Sequence, residues 1–165
     1  VPVKPGAKPP VTPAVRVLRA NGVAFTDHLY EYEERGGTRV SARELGVDEH
    51  AVIKTLIMED AARRPLVVLM HGDLSVSTKE LARVLDVKSV QACDPAVAGR
   101  HSGYMVGGTS PFGTRKVMPV YLEETILDLP RIYINGGARG YLVGMDPRDV
   151  QRVLGPTLVK VGIAS

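Results

Sequence analysis

The residue whose type and setting point most directly to chemistry is Lys54. In Val52-Ile53-Lys54-Thr55-Leu56-Ile57-Met58, a period of two places Lys54 on one strand face with Val52, Leu56 and Met58, so an ammonium projects from an otherwise apolar row. Burying such a charge alone is costly, and the side chain must snorkel to water, pair with an acid or await an anionic ligand. On the residues alone, snorkelling is the commoner outcome. Two glycine-rich segments come next. Val106-Gly107-Gly108-Thr109-Ser110-Pro111-Phe112-Gly113 runs into the cationic pair Arg115-Lys116, and Asn135-Gly136-Gly137-Ala138-Arg139-Gly140 lies between two strand-like stretches. Glycine lets a backbone pass close to a ligand, and bare N–H groups can hold a phosphate or carbonyl oxygen. Each segment also has a plain reading, a Gly-Pro turn for the first and an Asn-Gly hairpin turn for the second. If both leave strands at one edge of a sheet, they meet there, and Arg139 brings charge beside them.

Other chemistries lack their residues. The first glycine segment has neither the Lys-Ser/Thr ending of a phosphate-binding loop nor dinucleotide-fingerprint spacing, so no cofactor is indicated. His28, His50, His71 and His101 are scattered without the spacing of a metal-binding helix, and one cysteine, Cys93, cannot build a zinc site or an internal disulfide. No Gly-x-Ser-x-Gly elbow is present, and the apolar setting of Cys93 gives no reason for a depressed pKa, which argues against a protein nucleophile.

The elements that must position these residues fit one domain. The chain has 165 residues, 44% hydrophobic and 24% charged, enough for a core without staples and with no apolar run near the ~20 residues of a membrane span. A net charge of +3 and a pI near 9.1 permit a basic patch without requiring one. Val1 to Pro10 reads as a flexible tail without the apolar region of a signal peptide, leaving residues 11–165 as the domain; a reducing, cytoplasmic setting fits. Thr12-Pro13 starts a helix that Asn21-Gly22 stops; Ser41 to Leu45, Ser77-Thr78-Lys79-Glu80, Asp94-Pro95 and Asp146-Pro147 mark four more. Phe25 to Glu33 is extended, and strands are expected at 52–59, 66–70, 88–92, 104–106, 117–122, 131–134, 141–143 and 157–161. Helices interspersed unevenly among short strands indicate an α/β fold with a mixed, curled sheet rather than regular βαβ winding.

Taken in order, these segments resemble the YbaK branch of the YbaK/ProX aminoacyl-tRNA deacylase family. The likeness runs from Thr12-Pro13-Ala14-Val15 and His28-Leu29-Tyr30 through Val52-Ile53-Lys54-Thr55-Leu56 and Asp94-Pro95. It continues in Gly103-Tyr104-Met105-Val106-Gly107-Gly108, Ser110-Pro111-Phe112-Gly113 and Ile132 through Gly140. The resemblance implies a single-domain, barrel-like α/β fold with a pocket for the aminoacylated 3′ CCA end of tRNA. It makes Lys54 the key functional residue, reversing the snorkelling preference, and assigns substrate contacts to Tyr30, Gly107, Gly108, Ser110, Asn135, Gly136, Gly137 and Arg139. It further implies action without cofactor or metal on cysteine wrongly attached to proline tRNA, in trans beside prolyl-tRNA synthetase. The substrate's own thiol would attack the ester while the enzyme positions it and stabilises the oxyanion. Two positions depart from the pattern. Asn135 stands where the branch often has Ser, and Leu142 where an acid is frequent, which opens the alternatives of alanine or another small mischarged residue. A non-catalytic module holding a tRNA end or a synthetase is the rival reading.

Overall fold

In the computed structural model, which describes all of Val1–Ser165, the first helix forms where the capping signal stands. Thr12 is extended, its Oγ1 accepts the Val15 N–H at 3.1 Å, and Pro13 takes the first position of α1 (Pro13–Ala20). Ala14, Val15 and Leu18 form the buried face of this helix. The Thr12 hydroxyl also donates to the Gly136 carbonyl, so the cap doubles as a tertiary tie.

The remaining helices are α2 (Gly37–Leu45), α3 (Thr78–Leu85), α4 (Pro95–Ser102) and α5 (Pro147–Leu154). Ser77 caps α3 by accepting the Glu80 N–H, and Asp146 caps α5 through the Arg148 N–H. The strands are β1 (Phe25–Leu29), β2 (Val52–Asp60), β3 (Pro65–His71), β4 (Leu74–Val76) and β5 (Val90–Ala92), then β6 (Val120–Glu123), β7 (Ile132–Ala138), β8 (Tyr141–Met145), β9 (Thr157–Val159) and β10 (Gly162–Ala164). Seven of them run in the order β1-β8-β7-β2-β3-β6-β9, β5 adds to β2, and β4 pairs with β10 separately. Parallel pairs (β2–β7, β3–β6, β6–β9) mix with antiparallel ones. The mixed α/β expectation holds, and the sheet curls without closing into a barrel.

Some local expectations give way to tertiary structure. Tyr104 to Val106 is irregular instead of a strand, because Gly103 turns left-handed at the end of α4 and the buried Tyr104 sends its hydroxyl to the Phe112 carbonyl at 2.6 Å. The strand expected from Val117 starts only at Val120, just after Pro119, which has no N–H to give a ladder. Asn135-Gly136 is no hairpin turn: β7 continues through a bulge between Asn135 and Ala138, and the reversal falls at Arg139-Gly140. The helix expected from Ser41 begins at Gly37. Within the segment read as a tail, Val3 donates its N–H to the Arg139 carbonyl at 2.8 Å.

Both sheet faces are covered, but differently. Ile53, Ile57, Leu69, Leu122, Ile132, Ile134, Val143 and Met145 form one continuous core with α1 and Val150 of α5. The opposite face carries two separate clusters: Met58, Leu66, Val68 and Met70 beneath Leu81 and Ala82, and Tyr30, Val52 and Leu142 beneath Ala42. Lys54 lies along β2 between them.

Replacing Thr12 with Ala removes the α1 cap and leaves the Gly136 carbonyl without its donor. We expect a loss of about 2 kcal/mol in urea unfolding, with Thr12→Ser recovering most of it.

Candidate active site

The site is built at a fork in the sheet. β2 has β7 beside it at Val52 and Ile53, and β5 only from Met58 to Asp60. Between these pairings Lys54, Thr55 and Leu56 have β3 on one side and no strand on the other. One step beyond the Val52–Tyr133 and Ile53–Ile134 pairs, β2 reaches Lys54 and β7 reaches Asn135, on the face that Val52 and Tyr133 share.

Lys54 is half-buried there and does not snorkel freely, since its Nζ donates to the Leu74 carbonyl. Burial pulls its pKa below the ordinary lysine value, while the nearby Glu49 and Asp73 carboxylates pull the other way without cancelling the effect. The result is a cation that gives up its proton more readily than a surface lysine yet is held in a fixed place.

Asn135 joins the two glycine segments. Its Oδ1 accepts the N–H groups of Gly137 at 2.6 Å and Ala138 at 3.1 Å, which closes the bulge, and its Nδ2 donates to the Gly107 carbonyl at 3.1 Å. Arg139 repeats the link, with Nε 2.8 Å from the Val106 carbonyl and its guanidinium 5.4 Å above the Tyr32 ring. The backbones approach so closely that a Cβ at Gly108 would lie 2.8 Å from the Arg139 nitrogen, which only glycine allows. The two segments therefore meet, and Arg139 stands between them.

Other candidates have quieter places. The Gly136 carbonyl is taken by Thr12, and Gly137, at φ +98°, abuts the Tyr104 ring. The N–H of Gly108 is bonded to Met105 at 2.8 Å, whereas those of the exposed Gly107 and Gly113 have no protein partner among the bonds of this loop. Ser110 is wholly buried and its hydroxyl accepts the Phe112 N–H at 3.1 Å, a role inside the loop and not on its surface. Tyr30 is buried against Ala42, Val52 and Leu142 and forms a wall. A half-buried ammonium and an exposed glycine N–H without a protein partner are each groups that can hold an anionic oxygen, whether of a phosphate or of an ester carbonyl gaining charge. The cleft of about 270 Å³ at Asp60, Arg64, Leu85 and Tyr121 lies elsewhere, and its charges pair with each other at 2.8 Å.

Residues 35–153 match the model of the aminoacyl-tRNA editing domain. The chain belongs to the aminoacyl-tRNA editing domain family. It is an aminoacyl-tRNA deacylase. It is 26% identical over 140 residues, 84% of this chain and 85% of the relative, to EbsC of Enterococcus faecalis, named as a candidate Cys-tRNA(Pro)/Cys-tRNA(Cys) deacylase. Its fold matches the crystal structure of the hypothetical protein APE2540 with a TM-score of 0.84 at 21% identity, covering 92% of this chain and all of that one. A structure described as a candidate trans-editing enzyme for prolyl tRNA synthetase matches with a TM-score of 0.79 at 17% identity, covering 94% and 100%. No helix of the deacylase is long and apolar enough to cross a membrane.

Sequence reasoning missed three features of the candidate site. Tyr32 presses its ring on Gly107 and lies under Arg139; an aromatic after a strand carries no signal by itself. Thr55 has a buried hydroxyl without a protein partner, visible only once the fork is known. His50, His71 and Asp73, which looked scattered, are drawn together beside Lys54. Cys93 behaves as expected, burial first and Glu59 second pushing its thiol up to about 12, so it stays protonated at neutral pH.

Because the Asn135 amide both accepts and donates, Asn135→Ala should free the bulge and the first loop together. Hydrogen exchange at the Gly137 and Ala138 amides should accelerate on the order of tenfold, while exchange in β3 stays unchanged; equal acceleration everywhere would mean general destabilisation.

Proposed function

We propose that this deacylase is a trans-editing hydrolase that clears cysteine from proline tRNA, working in the cytoplasm beside prolyl-tRNA synthetase. The observation that carries the reading is Lys54 at the fork in β2, level with the Asn135 bulge where the two glycine segments meet, with no activated protein nucleophile there. The names of EbsC and of the trans-editing structural relative support the substrate and the synthetase link.

In this scheme the substrate sulfur attacks its own ester carbonyl, forming the S–C bond as the carbonyl electron pair moves onto oxygen. In this reading Lys54 and the Gly107 N–H stabilise that oxyanion. Collapse breaks the C–O bond to the ribose, the thiol proton ends on the ribose hydroxyl, and a cyclic thioester leaves for hydrolysis by water. Tyr30, Asn135, Gly108, Gly136, Gly137 and Arg139 shape the slot, and Ser110 supports it from within the loop. No cofactor or metal enters any step. The tRNA contributes its CCA end, whose anionic backbone suits the cations Lys54 and Arg139.

Two positions favour a second reading, release of alanine. The Asn135 amide is consumed by the loops, and Leu142 is 4% exposed within an apolar cluster, so neither offers a free polar group to a thiol. A panel of Cys-, Ala-, Ser- and Pro-charged tRNA(Pro) separates the two. Thiol attack makes the Cys ester react far faster than Ser and yields a trappable thioester; water attack in a size-selecting slot gives comparable rates for Ala, Ser and Cys, since fit alone discriminates by only ~1–3 kcal/mol.

Under either substrate, Lys54→Ala should stay folded and lose deacylation on the order of a hundredfold, whereas Cys93→Ser should leave turnover unchanged. Wild-type turnover in folded Lys54→Ala would remove Lys54 from the mechanism.

A further inference from the structure

A cluster behind Lys54 has no part in the steps above. His50, in the 3-10 turn Glu49–Ala51, sets Nδ1 2.8 Å from the Asp73 carboxylate. Its ring stacks on His71 with centroids 3.7 Å apart and planes 5° from parallel. His71 is fully buried; its Nδ1 lies 2.7 Å from the His50 carbonyl, which can only accept, so that nitrogen carries the proton. Its Nε2 lies 2.7 Å from Thr125 Oγ1 and accepts from it. His50, His71 and Asp73 offer three ligand atoms within 4.8 Å, the spacing of a metal site. Both His71 nitrogens are already committed, however, and flat stacked rings aim their in-plane lone pairs side by side instead of at one point. The cluster is a hydrogen-bonded stack and not a cation site.

What it grips is the turn that carries the acceptor for Lys54. The turn leaves β3 at His71, passes through Gly72 and Asp73, and reaches Leu74, whose carbonyl takes the Lys54 Nζ. Gly72 is wedged so tightly that a Cβ there would fall 2.6 Å from the Glu49 carbonyl and 2.7 Å from that of Val52. Thr38 of α2 closes the same corner, its Oγ1 2.7 Å from Glu49 Oε2 and 3.1 Å from the Gly72 carbonyl. The Asp73 side chain, bonded to His50, fixes the turn just before Leu74, and the β10 ladder holds Leu74 from the other side through Ala164.

We propose that His50 and Asp73 form a positioning pair that sets the Lys54 ammonium for deacylation by fixing the turn that presents the Leu74 carbonyl. The proposal rests on the reading that Lys54 acts at the ester. In this reading the pair acts through Lys54 and not on the ester. The charged groups that act on Lys54 are Glu49 from the 3-10 turn and Asp73 from the turn after β3, and His50 and His71 lie behind them, against Asp73. Of these, Glu49 and Asp73 hold its pKa up against burial. Loss of the Asp73 charge therefore moves Lys54 deprotonation to lower pH, and a reaction that needs the ammonium fails earlier on the alkaline side.

The test titrates Lys54 by carbon NMR at Cε and measures kcat and KM against pH for wild type, Asp73→Asn, His50→Gln and Lys54→Ala. Asp73→Asn should lower kcat on the order of tenfold with KM little changed, and move both the NMR titration and the alkaline limb of the rate to lower pH. His50→Gln, which keeps Asp73 in place, should lower kcat in the same direction and carries the test if Asp73→Asn folds poorly. Wild-type kcat and an unmoved titration in both pair variants, with Lys54→Ala inactive, overturn the positioning pair alone. A moved titration with Lys54→Ala as active as wild type overturns the role of Lys54 and the pair's catalytic role with it.

Discussion

Lys54 carries a charge into a sheet face that is otherwise apolar, and much of the surrounding architecture answers what that charge requires. A buried ammonium without partners is expensive. The chain meets the cost by splitting the covering layer: Val52 joins the cluster under α2, Met58 the cluster under α3, and Lys54 falls in the gap. The same gap is where β7 parts from β2 and β5 has not yet begun. A continuous sheet with a continuous apolar cover would leave the ammonium sealed. The fork leaves one side of the strand without a neighbouring strand while β3 holds the other.

The walls of that opening come from segments distant in sequence, so their alignment has to be enforced by bonds between them. Asn135 does this with one amide, closing its own bulge through Oδ1 and reaching Gly107 through Nδ2. A serine at this position has a single proton to donate and could not make the same pair of links with the same reach. The substitution that departs from the resemblance is therefore a mechanical change as well as a chemical one. Arg139 adds a second strut on Val106, and Thr12 ties the far side of the bulge to α1. Three elements thus pin a short stretch of backbone, the preorganisation a site needs when it works by placing groups and not by attacking bonds.

What could be read in the sequence was what depends on neighbours in the chain. The period of two exposed Lys54; Thr12-Pro13, Ser77 to Glu80 and Asp146-Pro147 announced their helices, because a cap is a local hydrogen bond. Both Gly-Gly segments were visible as backbone suited to close approach. What could not be read depends on partners far along the chain. Asn135-Gly136 has the composition of a hairpin turn, yet the β8 ladder draws β7 on to Ala138. Tyr104 has strand propensity, yet its ring is buried and its hydroxyl captured by Phe112, so tertiary packing overrides local preference. His50 and His71 lie 21 residues apart, and no spacing rule brings them into a stack.

Thr55 shows the same physics from the opposite side. Its hydroxyl is the single buried side-chain polar atom without a partner, in a chain that satisfies even the stacked ring of His71 at both nitrogens. A buried orphan of this kind costs about 1–3 kcal/mol. It sits directly after Lys54, in the stretch of β2 that has lost a neighbouring strand, on the face opposite the ammonium. There the core between Ile53 and Ile57 would accept an apolar side chain. Local rules that are obeyed elsewhere are broken here on adjacent residues, a charge on one face and an orphan hydroxyl on the other. Such coincidence is the pattern of a position kept for chemistry at the expense of stability, which is the physical ground for proposing the fork in β2 as the candidate working centre of the domain.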